Sequence, residues 1–492
     1  MSVRGTIADL DDRPESLLIA GAWRRARDGR TSEVVSPVEG VRTAQVAVAG
    51  PEDLREAVAA ARRAFDEGPW PRMPGRERAQ ILYDAADLVE EETGGLAWCQ
   101  AVEMGKPVHF GERDDVPFVA MALRFFAALA SQGPGFGRRA NPSVAKTASR
   151  EPLGVVAALT EFHHPLAMAA AVVCPALAMG DSVVLRPPAT APVSVLEFVD
   201  LCARAGLPPG VLNVVTGGRE VAEGLAAHPG VDLAAYVGGP DLGRAVAMAG
   251  ARAGVPVELD IGRPTVHMVF EDACLEHSVR HVARALLPGR AEFRAAGIRI
   301  LIHEAIYRRF ADRLAALADE LSPADPRLSA TRLGPLVGRE ERDRLESYLG
   351  WSGRHGARLL PGPSAADRGL YRSLQFLEDW DCAVARKLPE VLAPLAFVTP
   401  FQSQEQAVGF ANTVPGMQSC TVYTADMARA HVVADAIRSE VCRISTCSDA
   451  PGQSSSWFDD EDAVESGPLR EFDIETAYPF TRPKSVWVDV PL

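Results

Sequence analysis

Residues 154–218 read GVVAALTEFHHPLAMAAAVVCPALAMGDSVVLRPPATAPVSVLEFVDLCARAGLPPGVLNVVTGG. Short apolar runs alternate here with segments of helical length. Val155–Leu159, Ser182–Leu185 and Leu212–Val215 are bounded by Gly, Pro and Asp, as buried strands are. Helices are expected near 166–179 and 193–206. The alternation continues through strands Ala234–Val237 and Val257–Ile261, with helices near 219–227 and 241–252. Each connector suits a right-handed crossover, so the pattern predicts a parallel α/β sheet.

Upstream, LLIAGAWRRARDGRTSEVVSP alternates apolar and polar residues around turn residues, which predicts a small antiparallel sheet. In the following helix Leu54, Val58, Ala61 and Phe65 share one face, and Glu52 and Asp53 favour its N-terminal dipole. A helix pair is expected over about 76–103. Downstream of Asp272 a second α/β series begins, with a helix over 275–287, a strand Ile298–Ile302 and a helix Ala305–Leu321. The strand-like runs LAFVTPF, TVYTA and EVCRIST follow, separated by the helical QEQAVGFAN and ARAHVVADAIR. Two α/β lobes are implied, and SVWVDV (485–490) alternates as an edge strand whose apolar face needs a partner.

Lys and Arg total 51 against 65 Asp and Glu, a formal net charge of −14, which argues against nonspecific nucleic-acid binding. Lys106, Lys146, Lys387 and Lys484 are the only lysines, so an arginine in a lysine's place is weak evidence of changed chemistry. Eight cysteines lie scattered without C-x-x-C pairs, indicating neither a zinc site nor a disulfide framework. The first residues lack the apolar core of a secretory signal. The longest apolar stretch, Leu166–Met179, falls short of the roughly 20 residues that span a bilayer, and Pro175 interrupts it. These features predict a cytoplasmic protein without a membrane segment.

The block from His164 to Gly218, followed by VDLAAYVGGPDLG, VELDIG, FEDACLE, IRILIHEAIYRRF, LPEVLAPLAFVTPF and SEVCRIST, closely resembles the aldehyde dehydrogenase superfamily in order and spacing. The resemblance runs from LLIAGAW to SVWVDV, with a poor fit near 448–480. It implies an NAD(P)-binding-like domain over 1–125 and 153–258, a catalytic-like domain over 259–465, and oligomerisation segments at 126–152, a hairpin, and 470–492. A homodimer or homotetramer is the implied assembly.

Aldehyde oxidation in that family needs a nucleophilic thiolate, an oxyanion hole, a nicotinamide and a base for thioester hydrolysis. The family's G-Q-x-C-x-A-G-x-R segment corresponds here to Ala291–Arg299, which puts Arg294 in the nucleophile's position. A guanidinium offers only donors and cannot form a thioester. No cysteine lies between Cys274 and Cys382, so no local shift recovers one. The motif P-W-N-F-P appears as Glu161-Phe162-His163-His164-Pro165, with His163 at the oxyanion-hole asparagine. His163 either still donates a hydrogen bond or, with His164, fills a vacated pocket. The base position of L-E-L-G-G falls on Asp260. Glu258, two residues earlier, would share its strand face but lie several ångströms along it. In the family's geometry Asp260 and Arg294 would form a salt bridge plugging the site.

For the cofactor, the resemblance implies Phe162, Arg186, Gly238, Gly239, Gly243 and Glu390 as contacts. Gly238 and Gly243 keep the glycines of F-T-G-S-x-x-x-G at a strand-to-helix junction, where backbone amides face a pyrophosphate, while Gly239 replaces the serine. Arg186 replaces the ribose lysine and Ala189 a ribose glutamate. Glu390 matches the nicotinamide-ribose glutamate, with Leu392 for the adjacent phenylalanine. P-F-G-G-x-K-x-S-G is replaced by the acidic SSSWFDDEDAVESGP, a solvated loop or a surface for a basic partner.

The expectation is an aldehyde dehydrogenase-like protein without the cysteine-dependent reaction, serving as a binding or scaffold subunit with NAD or NADP binding weakened or lost. The alternative is a divergent NAD(P)-dependent oxidoreductase acting on an aldehyde or related carbonyl compound. It would use a remodelled His163/Asp260/Arg294 site, with Arg294 binding a small anionic ligand. A subordinate version makes Cys447 a replacement nucleophile. No metal site is expected.

Overall fold

The computed structural model describes residues 15–132, 135–141, 144–287, 298–360, 368–380, 384, 393–414, 416–446 and 474–489. Its first seven-stranded sheet orders the strands Val257–Ile261, Leu233–Gly238, Val155–Thr160, Ser182–Arg186, Leu212–Val214, Leu17–Ile19 and Ala22–Arg24. The first five run parallel and the last two add antiparallel pairs. The Val155–Thr160 and Ser182–Arg186 strands are buried along their whole length, as a sheet covered on both faces requires. Pro165–Met179, Gly75–Glu91 and Val116–Gln132 cover one face. Pro51–Asp66, Arg219–Ala226 and Pro240–Ala253 cover the other.

The second seven-stranded sheet orders Arg358–Leu359, Gln375–Glu378, Leu395–Phe401, Ile298–His303, Thr265–Val269, Ser419–Tyr423 and Val441–Ser445. All its pairs are parallel except the one made by Arg358–Leu359. Leu275–Ala285 and Tyr307–Glu320 lie over one face, Gln404–Asn412 and Met427–Ala436 over the other. A third, antiparallel sheet joins Gly135–Asn141, Val144–Pro152 and Thr481–Asp489, the last at an edge.

The hairpin expected over 126–152 begins later than the sequence suggests. Helix Val116–Gln132 runs through its first residues, because Phe126 and Ala130 extend the buried stripe of Val119 and Leu123 at helical spacing. Strand pairing starts at Gly135. Helix Arg339–Arg354, absent from the sequence reading, carries a polar face and few apolar anchors, chiefly Leu345 and Tyr348.

Candidate functional site

In the first sheet the chain steps outward from Val155–Thr160 through Ser182–Arg186 to Leu212–Val214, then crosses back to put Leu233–Gly238 on the other flank of Val155–Thr160. The order reverses between Val155–Thr160 and Leu233–Gly238, and a crevice opens beyond their carboxyl ends at such a switch point. A cavity of about 340 Å³ lies there. Glu161, Phe162 and His163 enter it from the end of Val155–Thr160, Arg186 from the next strand, Gly239 from Leu233–Gly238 and Gly262 from Val257–Ile261. Glu340, Glu341 and Arg344 of Arg339–Arg354 close it from the second lobe.

His163 is buried, its ring stacked on Phe162 at 4.4 Å and 17°. Arg186, also buried, braces the cleft floor. Its Nε donates to the Gly217 carbonyl at 3.0 Å and its Nη1 to that of Thr160 at 2.9 Å, while burial lowers its pKa. Gly238 and Gly243 serve close packing. A Cβ on Gly238 would meet Tyr236 Oη at 2.6 Å and Glu161 Cγ at 2.7 Å, and one on Gly243 would meet Ile261 Cδ1 at 3.0 Å. Gly239 precedes helix Pro240–Ala253, and its N–H donates to Glu161 Oε2 at 2.7 Å.

Asp260 lies elsewhere. It and Glu258 share one face of Val257–Ile261 and line a second cavity, of about 70 Å³, with Phe126, Ala171 and Phe480. Val257, Leu259 and Ile261 turn the other way, against the helix-covered core. His163 and Asp260 therefore open into different cavities. Arg294, Glu390 and Cys447 fall outside the described residues. None of the six described cysteines lines either cavity. Burial pushes the thiol of Cys202 up to about 12 and raises those of Cys174, Cys420 and Cys442.

Two features escaped the sequence reading. Glu161, a charged residue where the motif has proline, turns out to touch the helix start 78 positions later; that misfit was the available signal. His164 does not face the cleft. Its Nδ1 lies 2.9 Å from Lys106 Nζ and 3.2 Å from Asp115 Oδ1, and Lys106 is ion-paired with Asp115. Asp115 ends a single π-helical turn, Gly111–Asp115, and also accepts from Gln100 at 3.0 Å. Desolvation opposes its charge, but Lys106 and His164 outweigh it and hold the carboxyl well below its usual range. Among the described residues no cluster of three or more His, Cys, Asp or Glu is arranged for a metal ion, and no helix is long and apolar enough to cross a membrane.

The sequence pattern of the aldehyde dehydrogenase family matches residues 23–456. Betaine aldehyde dehydrogenase 1 of Oryza sativa subsp. japonica is 32% identical over 439 residues, covering 86% of each chain. PnpE from Pseudomonas sp. WBC-3, solved in complex with nicotinamide adenine dinucleotide, superposes at a TM-score of 0.87 with 31% identity, covering 97% of this chain and 98% of that one. An NAD-dependent aldehyde dehydrogenase from Sinorhizobium meliloti gives 0.87 with 27% identity over 99% and 97%. The family pattern spans most of the chain and a relative is 32% identical over 86% of it, so the chain belongs to the aldehyde dehydrogenase family.

Proposed function

We propose that this chain keeps the aldehyde dehydrogenase fold but not the cysteine-dependent oxidation, and serves as a non-catalytic binding or scaffold subunit. The observation that carries this is Arg294 in the nucleophile's position. A guanidinium stays protonated and presents donors only, so neither a hemithioacetal nor a thioester forms on it. The absence of any described cysteine from the two cavities supports the reading, as does the separation of His163 from Asp260. The unbridged thiols of Cys174, Cys202, Cys420 and Cys442 support a cytoplasmic setting. Homodimer or homotetramer formation rests on the exposed run Val486, Trp487 and Val488 on an edge strand.

The family's dinucleotide fits this cleft unevenly. Cavity size, Phe162 and the glycines suit it, but the helix-start amide of Gly239 is engaged by Glu161 and Pro240 supplies no N–H. NAD or NADP affinity is accordingly weakened.

The direct test incubates purified protein with NAD or NADP and a panel of aliphatic, aromatic and cationic aldehydes. The expected result is no reduced cofactor above the buffer rate. Turnover that Arg294→Ala abolishes would overturn the reading. The second possibility is a divergent NAD(P)-dependent oxidoreductase built on His163, Asp260 and Arg294, and the opening of His163 and Asp260 into different cavities counts against it. Turnover lost on changing His163 or Asp260, with fold intact, would select it.

A further inference from the structure

Relatives of this fold are solved with a dinucleotide bound, and the residues of this chain disagree with such a ligand at one definite place. The start of helix Pro240–Ala253 is where a diphosphate would find unsatisfied amides and the positive end of the helix dipole. Pro240 at the first helical position removes one donor. The Gly239 N–H already has an anion, the carboxylate of Glu161 at 2.7 Å. Two neighbours make this contact a built one. Gly238 lets the Glu161 side chain lie across the backbone, where a Cβ would come within 2.7 Å of Cγ. Tyr236 Oη donates to the Gly239 carbonyl at 2.6 Å, anchoring the following Gly239–Pro240 peptide and so limiting rotation of the residue whose N–H faces Glu161.

The charges lining the cleft point the same way. Burial raises the Glu161 pKa, and the Gly239 N–H, Arg186 and Arg344 favour its ionised form. The cations already have partners within the protein: Arg186 donates to two carbonyls, Arg344 pairs with Glu340 and Glu341, and Arg219 with Glu223 at 3.7 Å. Asp241 adds an acid in the helix's first turn.

We propose that Glu161 is a tethered carboxylate occupying the anion position at the start of Pro240–Ala253, an autoinhibitory contact that holds the cleft against the diphosphate of a dinucleotide. A ligand phosphate must displace Glu161 from Gly239 and then sit beside its charge. This inference rests on the weakened-cofactor part of the function proposed above and is independent of the missing thiol.

Calorimetric titration of the full chain with NAD, and separately with inorganic pyrophosphate, tests it in the natural sequence, Glu161→Ala and Glu161→Gln. The expected result is tighter binding of both probes by Glu161→Ala, by about tenfold or 1.4 kcal/mol, with Glu161→Gln in between because it keeps the bulk and loses the charge. Thermal melting checks that each variant is folded, and the near-isosteric Glu161→Gln carries the test alone if the alanine variant is not. Equal affinities across the three proteins, or no binding by any of them, would overturn the role of Glu161. Turnover by the natural sequence would instead overturn the non-catalytic reading and leave the comparison of affinities standing.

Discussion

At the residue scale, Lys106 shows how far this chain goes to keep charge in its interior. It is 2% exposed, Asp115 is 1% and His164 is 0%. An ammonium so placed is tolerable only with a carboxylate beside it and with the remaining hydrogen-bond capacity satisfied. Asp115 supplies the countercharge, and the Nδ1 of His164 lies within hydrogen-bond distance of both Lys106 Nζ and Asp115 Oδ1. Lys106→Met therefore removes the partner and leaves a buried carboxylate uncompensated, an expected loss of about 3–5 kcal/mol, read as a lower urea midpoint. His164→Phe keeps the ion pair and should lose much less. The sequence could place His164 in its motif but not its partners, since Lys106 lies 58 positions away. Glu161 was hidden for the same reason, its meaning residing in an amide donor on another strand's end.

At the scale of elements, helix Val193–Arg204 lacks a cap from its own preceding residue, Pro192. Glu103 provides one from another helix, accepting from the N–H of Val193 at 2.7 Å and of Ser194 at 3.2 Å. Full burial nevertheless raises its pKa to about 7, against 4.5 for an unfolded chain, so desolvation outweighs the cap. The folded state then binds the proton more tightly than the unfolded one. Stability from this group is complete below about pH 4.5, declines as pH rises toward 7 and is flat above, a total of about 3 kcal/mol. Glu103→Gln should abolish that component. The melting temperature of the variant relative to the natural sequence should rise between pH 5 and pH 8; a constant difference would contradict the assignment. Strands and helices from 154 to 261 were legible because their apolar periods are clean and their connectors carry Gly, Pro or Asp. The segment 126–132 was not, since a short apolar run before a glycine suits a helix end as well as a hairpin, and the buried stripe that decides it starts several residues earlier.

At the scale of the whole molecule, the third sheet projects Val486, Trp487 and Val488 at 45%, 64% and 53% exposure along an edge strand. Consecutive exposed apolar residues on an edge invite pairing with another chain. Trp487→Glu should shift the protein from a dimer or larger species toward monomer in light scattering; a natural chain already monomeric at micromolar concentration would refute this. The same strand pairs with Val144–Pro152, more than three hundred positions earlier, and the residues just before it, Ala477 and Phe480, are buried in the core beneath the first sheet. The lobe that holds Leu17–Ile19 in its sheet is thus completed by residues that follow the whole second lobe in sequence. On the ribosome this lobe waits unfinished while the other is made, with part of its apolar core unfilled. A nascent chain stalled near residue 446 should therefore recruit chaperones and yield to protease in its N-terminal half, and both liabilities should disappear on release of the full-length chain.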